Sequence, residues 1–252
     1  MLRFVSTPGI VASVLALWLL APMGCGNRSK EEQAAAKMAE EIEEISRQNR
    51  EEMQAEIDRD GAYSMRTERI DEVVEKFENA SSELPAELRA QMADQAAALR
   101  EIKAVALPYE QAYNRFIGLG GLDPVTMSGG SDIQARIDLL RVMYDENEKI
   151  DEAFPAIFAK LEPDPEKARA QLDLVRRIRQ TDREMLPHMI DALEILKKHW
   201  SVSELGADGI FYFGAEVPDE DIEAYNRHIE LMNAAADEQG RLQQLHMQMM
   251  QP

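Results

Sequence analysis

LEPDPEKARAQLDLVRRIRQTDREMLPHMIDALEILKKH, residues 161–199, carries the pattern that decides the fold. Glu162-Pro-Asp-Pro-Glu166 is a stop followed by a restart. Pro163 ends one helix, Asp164 is an N-cap type of residue, and Pro165 suits a first helical position. Leu172, Val175, Ile178, Met185, Met189, Leu193 and Leu196 then recur at helical spacing, forming one apolar stripe on a helix that runs to about His199. Pro187 lies inside that stripe and predicts a kink.

The same reading extends upstream. Ile133, Ile137, Leu140, Tyr144, Ile150, Phe154, Ile157 and Leu161 mark the inner face of a helix capped by Ser131 or Asp132 and bent at Pro155. Gly118 to Gly130, GLGGLDPVTMSGG, is a loop, read as a long flexible connection or a partner-contact segment. Before it, Pro85 opens a helix with Leu88, Met92, Leu99, Ile102, Tyr109, Tyr113, Phe116 and Ile117 inward and Pro108 as a kink. A shorter helix carries Ile70, Val73, Val74 and Phe77 between the Asp60-Gly61 break and the Ser81-Ser-Glu-Leu-Pro85 interruption.

Downstream, Pro218-Asp-Glu220 restarts a helix bearing Ile222, Tyr225, Ile229, Met232, Leu242 and Leu245. Gly209-Ile-Phe-Tyr-Phe-Gly214 is the most strand-like segment. No second strand is evident beside it, so the expectation is an ordered loop whose aromatics plug the bundle. Residues 27–60 form a polar helix with Ser29 as N-cap and a thin stripe of Met38, Ile42, Ile45, Met53 and Ile57, weakened by Asn49. So narrow a seam suits a coiled coil or a bundle-edge helix; a free stalk and a helix folded back on the bundle fit it equally. The fold class is therefore all-α, an elongated antiparallel bundle of about five to six helices, some kinked at proline. Its organisation reads as residues 1–24 for export, 25–60 as a polar helix or stalk, and 61–252 as the bundle. Ala112-Tyr-Asn-Arg115 recurs as Ala224-Tyr-Asn-Arg227, but no regular period supports a repeat array.

Composition narrows the function. The 252 residues include 45% hydrophobic side chains, enough for a packed core, but only 6% aromatic ones. A net charge of -19 repels nucleic-acid phosphates and anionic headgroups, so nucleic acid is excluded as a partner. With one cysteine there is no internal disulfide and no cysteine metal cluster.

That cysteine sits where an export segment ends. Arg3 is the only charge in the first 24 residues, Ile10 to Ala21 is a compact apolar run, and Pro22-Met-Gly-Cys25-Gly26 follows. The run is shorter than the roughly 20 residues a membrane span needs. An uncleaved anchor helix over residues 4–26 and an ordinary signal peptide are the alternatives; Pro8, Gly9, Pro22 and Gly24 oppose the first. The segment resembles the bacterial lipoproteins cut by the lipoprotein signal peptidase. The resemblance covers about the first 27 residues and departs from the family at Pro22 and Met23, where Leu and Ala or Ser are usual. It implies cleavage between Gly24 and Cys25, a diacylglyceryl thioether on Cys25 and an acylated amino terminus. It also implies a chain facing the periplasm or exterior of the cell envelope, with the outer membrane favoured in a Gram-negative host because Gly26, not Asp, follows the cysteine.

Catalytic signatures are missing. The histidines His188, His199, His228 and His246 show no HExxH and no pair three or four residues apart. His188 and His199 share a helix three turns apart, too far to chelate one ion. No metal, cofactor or catalytic residue is assigned. The acidic pairs read as solvated helix faces, and most of the 14 methionines as packing. Arg176, Arg177 and Arg179, with Arg183, form the one basic cluster, which either receives an anionic partner or pairs with neighbouring acidic faces. The expectation is a membrane-anchored, non-catalytic binding or scaffolding module that meets a protein partner through helix faces. The alternative is a ligand pocket between kinked helices lined by Tyr109, Tyr113, Trp200, Phe211 and Tyr212. Labelling cells with radioactive palmitate should mark the wild type and leave Cys25→Ser dark; equal labelling of both would remove the lipid from the reading.

Overall fold

The computed structural model describes residues 30–60, 67–79, 84–161, 165–206 and 211–249. The export segment with Gly24 and Cys25, the Ser29 cap, Gly61, Ser81 to Glu83, Glu162 to Asp164, and Gly209 with Ile210 lie outside the described residues. Six α-helices are described: α1 (Lys30–Asp60), α2 (Glu68–Glu78), α3 (Ala86–Gly118), α4 (Gly130–Leu161), α5 (Pro165–His199) and α6 (Asp219–Met249). The fold is all-α, as its periodicity predicts. None of these helices is long and apolar enough to cross a membrane.

Side-chain pairs between helices fix the antiparallel order. Thr67 and Asp71 at the start of α2 meet Glu110 and Lys103 of α3. Glu101 of α3 meets Lys160 near the end of α4. Along α4 and α5 the partners are Asp151 with Arg179, Arg141 with Glu194, and Gln134 with Lys197. Along α5 and α6 they are Asp182 with Gln239, His188 with His228, and His199 with Asp221. In the series for α2 with α3, α4 with α5 and α5 with α6, one number falls as the other rises, so these neighbours run antiparallel.

The apolar stripes face inward to form a main core, with Ile70, Leu99, Ile102, Ile133, Leu140, Ile150 and Leu193 almost wholly buried, while Leu174, Ile178 and Leu242 form a small separate cluster. Three expected core residues are not buried at all. Ile117, Tyr144 and Leu245 are exposed. Each is one residue past a better-placed neighbour, Phe116, Met143 or, in the other direction, His246, and one residue is about 100° of helix rotation. Pro108, Pro155 and Pro187 each lie inside an unbroken helix.

Helix α1 folds back onto the bundle. Ile42 joins the main core beside Val74 and Phe77, and Met53 and Ile57 form a second cluster with Met247 of α6. Lys76 of α2 pairs with Glu41 at 2.7 Å. From Ile57, α1 runs roughly 40 Å back to Lys30, away from the 118–130 loop. The start of α1 is therefore the foot of the molecule, and the α3–α4 loop is at its tip.

That loop is tied rather than loose. Arg136, fully buried on α4, donates from Nε to the Gly121 carbonyl at 2.9 Å and from Nη1 to Asp132 Oδ1 at 2.6 Å. Its Nη2 reaches the Leu119 carbonyl and both oxygens of Thr126. Gly120 and Gly121 have φ of 92° and 61°, and a Cβ on Gly120 would overlap the Thr126 side chain. Asp132 does not cap α4 as expected. It lies in the first turn and accepts from the Ser128 amide at 3.0 Å, which holds its carboxyl below the usual carboxylate range together with Arg136.

The segment read as a plugging loop contains a strand. Phe211–Tyr212 pairs antiparallel with Glu204–Leu205, a partner too short to show in any sequence pattern. Phe211 and Phe213 still pack on the core, as expected. Replacing Arg136 by Met should cost about 3–5 kcal/mol, because Asp132 and the loop carbonyls lose a buried donor. Limited proteolysis should then cut between residues 119 and 129, whereas exposed Arg141→Met should change stability by less than about 1 kcal/mol. Equal chemical denaturation midpoints for the two variants would contradict this.

Candidate functional site

Two polar centres interrupt the apolar core where α5 meets its neighbours. In the first, Arg179 and Asp182 stand one turn apart on α5, both wholly buried. Arg179 Nε donates to Asp151 Oδ1 at 2.8 Å and Nη2 to the Asn147 carbonyl at 3.0 Å, both on α4. Its guanidinium carbon lies 5.8 Å from the Tyr109 ring centroid and 5.9 Å from that of Phe154, within cation–π range. Gln239 of α6 donates to Asp182 Oδ1 at 2.5 Å. Among the described residues, Asn147 Nδ2 and Oδ1, Arg179 Nη1, Asp182 Oδ2 and Gln239 Oε1 are buried without a hydrogen-bond partner.

Burial pushes the Asp182 carboxyl up to about 7, against the opposing pull of Arg179 and Gln239. Further down α6, burial draws His246 down to about 4. Asn147, Gln239, Gln243 and His246 occupy inward positions that apolar periodicity passes over.

The second centre lies nearer the tip, between α5 and α6. His188 Nδ1 and His228 Nδ1 are 3.1 Å apart, with ring centroids 5.3 Å apart and the planes inclined at 45°. Asp191 Oδ2 lies 3.9 Å from His228 Nδ1. One ligand atom from each of the three residues falls within 4.8 Å of the others. Burial, then the neighbouring His228, lowers the His188 pKa. No spacing along the chain brings out this group, because His228 comes from the next helix.

His199 does not join it. Its Nε2 lies 2.7 Å from Asp221 Oδ2 in the first turn of α6, which Lys198 also contacts at 2.7 Å. Lys198 first, then His199, holds the Asp221 carboxyl below its ordinary range. This group fastens the end of α5 to the start of α6.

The residues singled out in the sequence separate. Trp200 stacks on Phe211 at 5.4 Å, Phe211 meets Phe213 edge-on at 5.4 Å, and Phe213 meets Tyr225 at 5.2 Å. Tyr212 points outward and is exposed. Tyr109, buried, and Tyr113, packed against the core, belong to the Arg179 level. Arg179 and Trp200 are about six turns apart on α5, roughly 30 Å, so the five aromatics do not line one pocket. The basic cluster divides as well. Arg179 faces the core, Arg183 shares Asp151 at 3.1 Å, Arg177 lies 3.8 Å from Glu238, and Arg176 is exposed.

Comparison with known protein families, curated proteins and solved structures gives no match.

The two displaced titrations act on stability in opposite directions. As pH rises from about 4 to 7, unfolded Asp182 ionises while the folded group holds its proton, so its contribution falls. As pH drops from about 6.5 to 4, unfolded His246 takes up a proton that the folded group refuses, so its contribution also falls. Each slope is worth about 1.4 kcal/mol per pH unit, and they offset each other between about pH 4 and 6.5. Asp182→Asn should therefore unmask stability that rises with pH in this window. His246→Gln should unmask stability that falls. Urea midpoints measured across the window should diverge; parallel profiles for wild type and both variants would refute the assignment.

Proposed function

We propose that the protein is a lipid-anchored protein of the cell envelope that acts as a non-catalytic binding or scaffolding module, holding a protein partner at the end of its bundle remote from the membrane. The observation that carries this is the distribution of exposed apolar side chains. Of the eleven large apolar side chains exposed among the described residues, six lie at the tip: Ile117, Leu119, Val125, Val202, Leu205 and Tyr212. They come from the end of α3 with the loop after it and from the α5–α6 hairpin, which Lys197 and Gln134 bring to the same end. Exposed apolar groups gathered in one region mark contact surfaces, whereas single ones are ordinary.

The anchor fits this orientation. α1 begins at Lys30, five positions after Cys25, and starts at the foot. A lipid there leaves the tip facing outward, and several acyl chains hold far more firmly than one. The acidic surface favours a basic or neutral partner over nucleic acid. The alternative of a pocket between kinked helices loses its aromatic lining, since Tyr109 and Trp200 lie at different levels.

A photo-crosslinking side chain placed at Val125 or Tyr212 should join one and the same protein in intact cells. Val125→Asp combined with Tyr212→Asp should abolish the complex while leaving the melting temperature within a few degrees of wild type. Crosslinking that is strongest from Val142, on the outer face of α4, or complexes that survive the double change, would put the contact elsewhere.

A further inference from the structure

His188 and Asp191 stand three residues apart on α5 and so share a face of that helix. His228 approaches from α6 across the helix interface. Two imidazole nitrogens and a carboxylate oxygen therefore converge from two helices, with the Nδ1 atoms 3.1 Å apart and the Asp191 oxygen 3.9 Å from His228 Nδ1. In a tetrahedral zinc site with bonds of about 2.0–2.1 Å, ligand atoms lie roughly 3.3 Å from one another. The two separations to His228 bracket that value, and all three ligand atoms lie within 4.8 Å of one another. We propose that His188, Asp191 and His228 bind one divalent transition-metal ion, zinc being the reference case, and that the ion joins α5 to α6.

The donor set selects the class of ion. Imidazole suits zinc, nickel, cobalt and copper, whereas calcium and magnesium require oxygen ligands. Three protein ligands leave a fourth position for water or an exchangeable donor, the arrangement of an open site rather than a closed structural one. Access is direct, because Asp191 is exposed while both rings are half-buried. Of the charged neighbours, Glu184 adds attraction for a cation and Arg227 opposes it. The site sits on the helix pair that carries the tip hairpin, but it does not depend on the partner contact proposed above.

The test uses the full chain in detergent, stripped with chelator and titrated with zinc by calorimetry. Wild type is expected to bind one ion per chain more tightly than any background sites. His188→Ala and His228→Ala should each lose that event, and Asp191→Asn should weaken it by roughly tenfold or more. His199→Ala, which alters the unconnected His199–Asp221 pair, should retain it. Saturating zinc should raise the melting temperature of wild type and leave that of His228→Ala unchanged. Cobalt should give visible absorption bands that only the wild type and His199→Ala display. Where an alanine variant fails to fold, His228→Gln replaces it in the same titration. A single tight ion retained by His188→Ala or His228→Ala overturns the proposal. So does a wild type that takes up only several weak ions, which would be adventitious binding to the acidic surface.

Discussion

The bundle turns on one guanidinium. Arg179 is wholly buried on α5, bonded to Asp151 and the Asn147 carbonyl on α4, and lies against the rings of Tyr109 on α3 and Phe154 on α4. One turn on, Asp182 extends the polar contact to Gln239 of α6. Four helices thus share a single polar level. Burying so much charge is costly in itself, and the level is a poor source of net stability. Its effect is on register. A slide of one turn along α5 would part Arg179 from the Asn147 carbonyl and Asp182 from Gln239, so these contacts favour one alignment of α4, α5 and α6.

Above and below that level the molecule changes character. Towards the tip, Arg136 turns a glycine-rich connection into an ordered cap by giving its carbonyls a donor, and Trp200, Phe211, Phe213 and Tyr225 meet ring to ring in sequence to close the other half of the same end. Towards the foot, the added helix is attached more sparsely. There α1 is held by a thin seam, Ile42 on the main core and Met53 with Ile57 on Met247. The tip is thus tied by buried hydrogen bonds and aromatic contacts, and the foot by a thin apolar seam.

Much of the architecture was legible in particular residues. Ile70, Val73, Val74 and Phe77 are all buried at the positions their spacing assigns, and so are Ile133, Ile137, Leu140 and Ile150. Two of the misplaced residues share one cause. Tyr144 and Leu245 were assigned to the core because they are apolar, while the helices turn Asn147, Gln239, Gln243 and His246 inward. Hydrophobic periodicity counts apolar groups, so a polar group buried on a stripe shifts the apparent face by one residue. The His188–His228 pair was invisible for a different reason: its members belong to different helices, and the distance between them depends on the α5–α6 register.

By itself the sequence determined what local chemistry controls: helices, from apolar period and the punctuation of proline and glycine, a strongly acidic balance, and an apolar N-terminal run followed by the lone cysteine. Tertiary structure alone decided which helices touch, that α1 folds back onto the bundle, that Arg136 orders the tip loop, and that two distant histidines meet. These outcomes depend on how several stripes fit together at once, and no short window of residues contains that information.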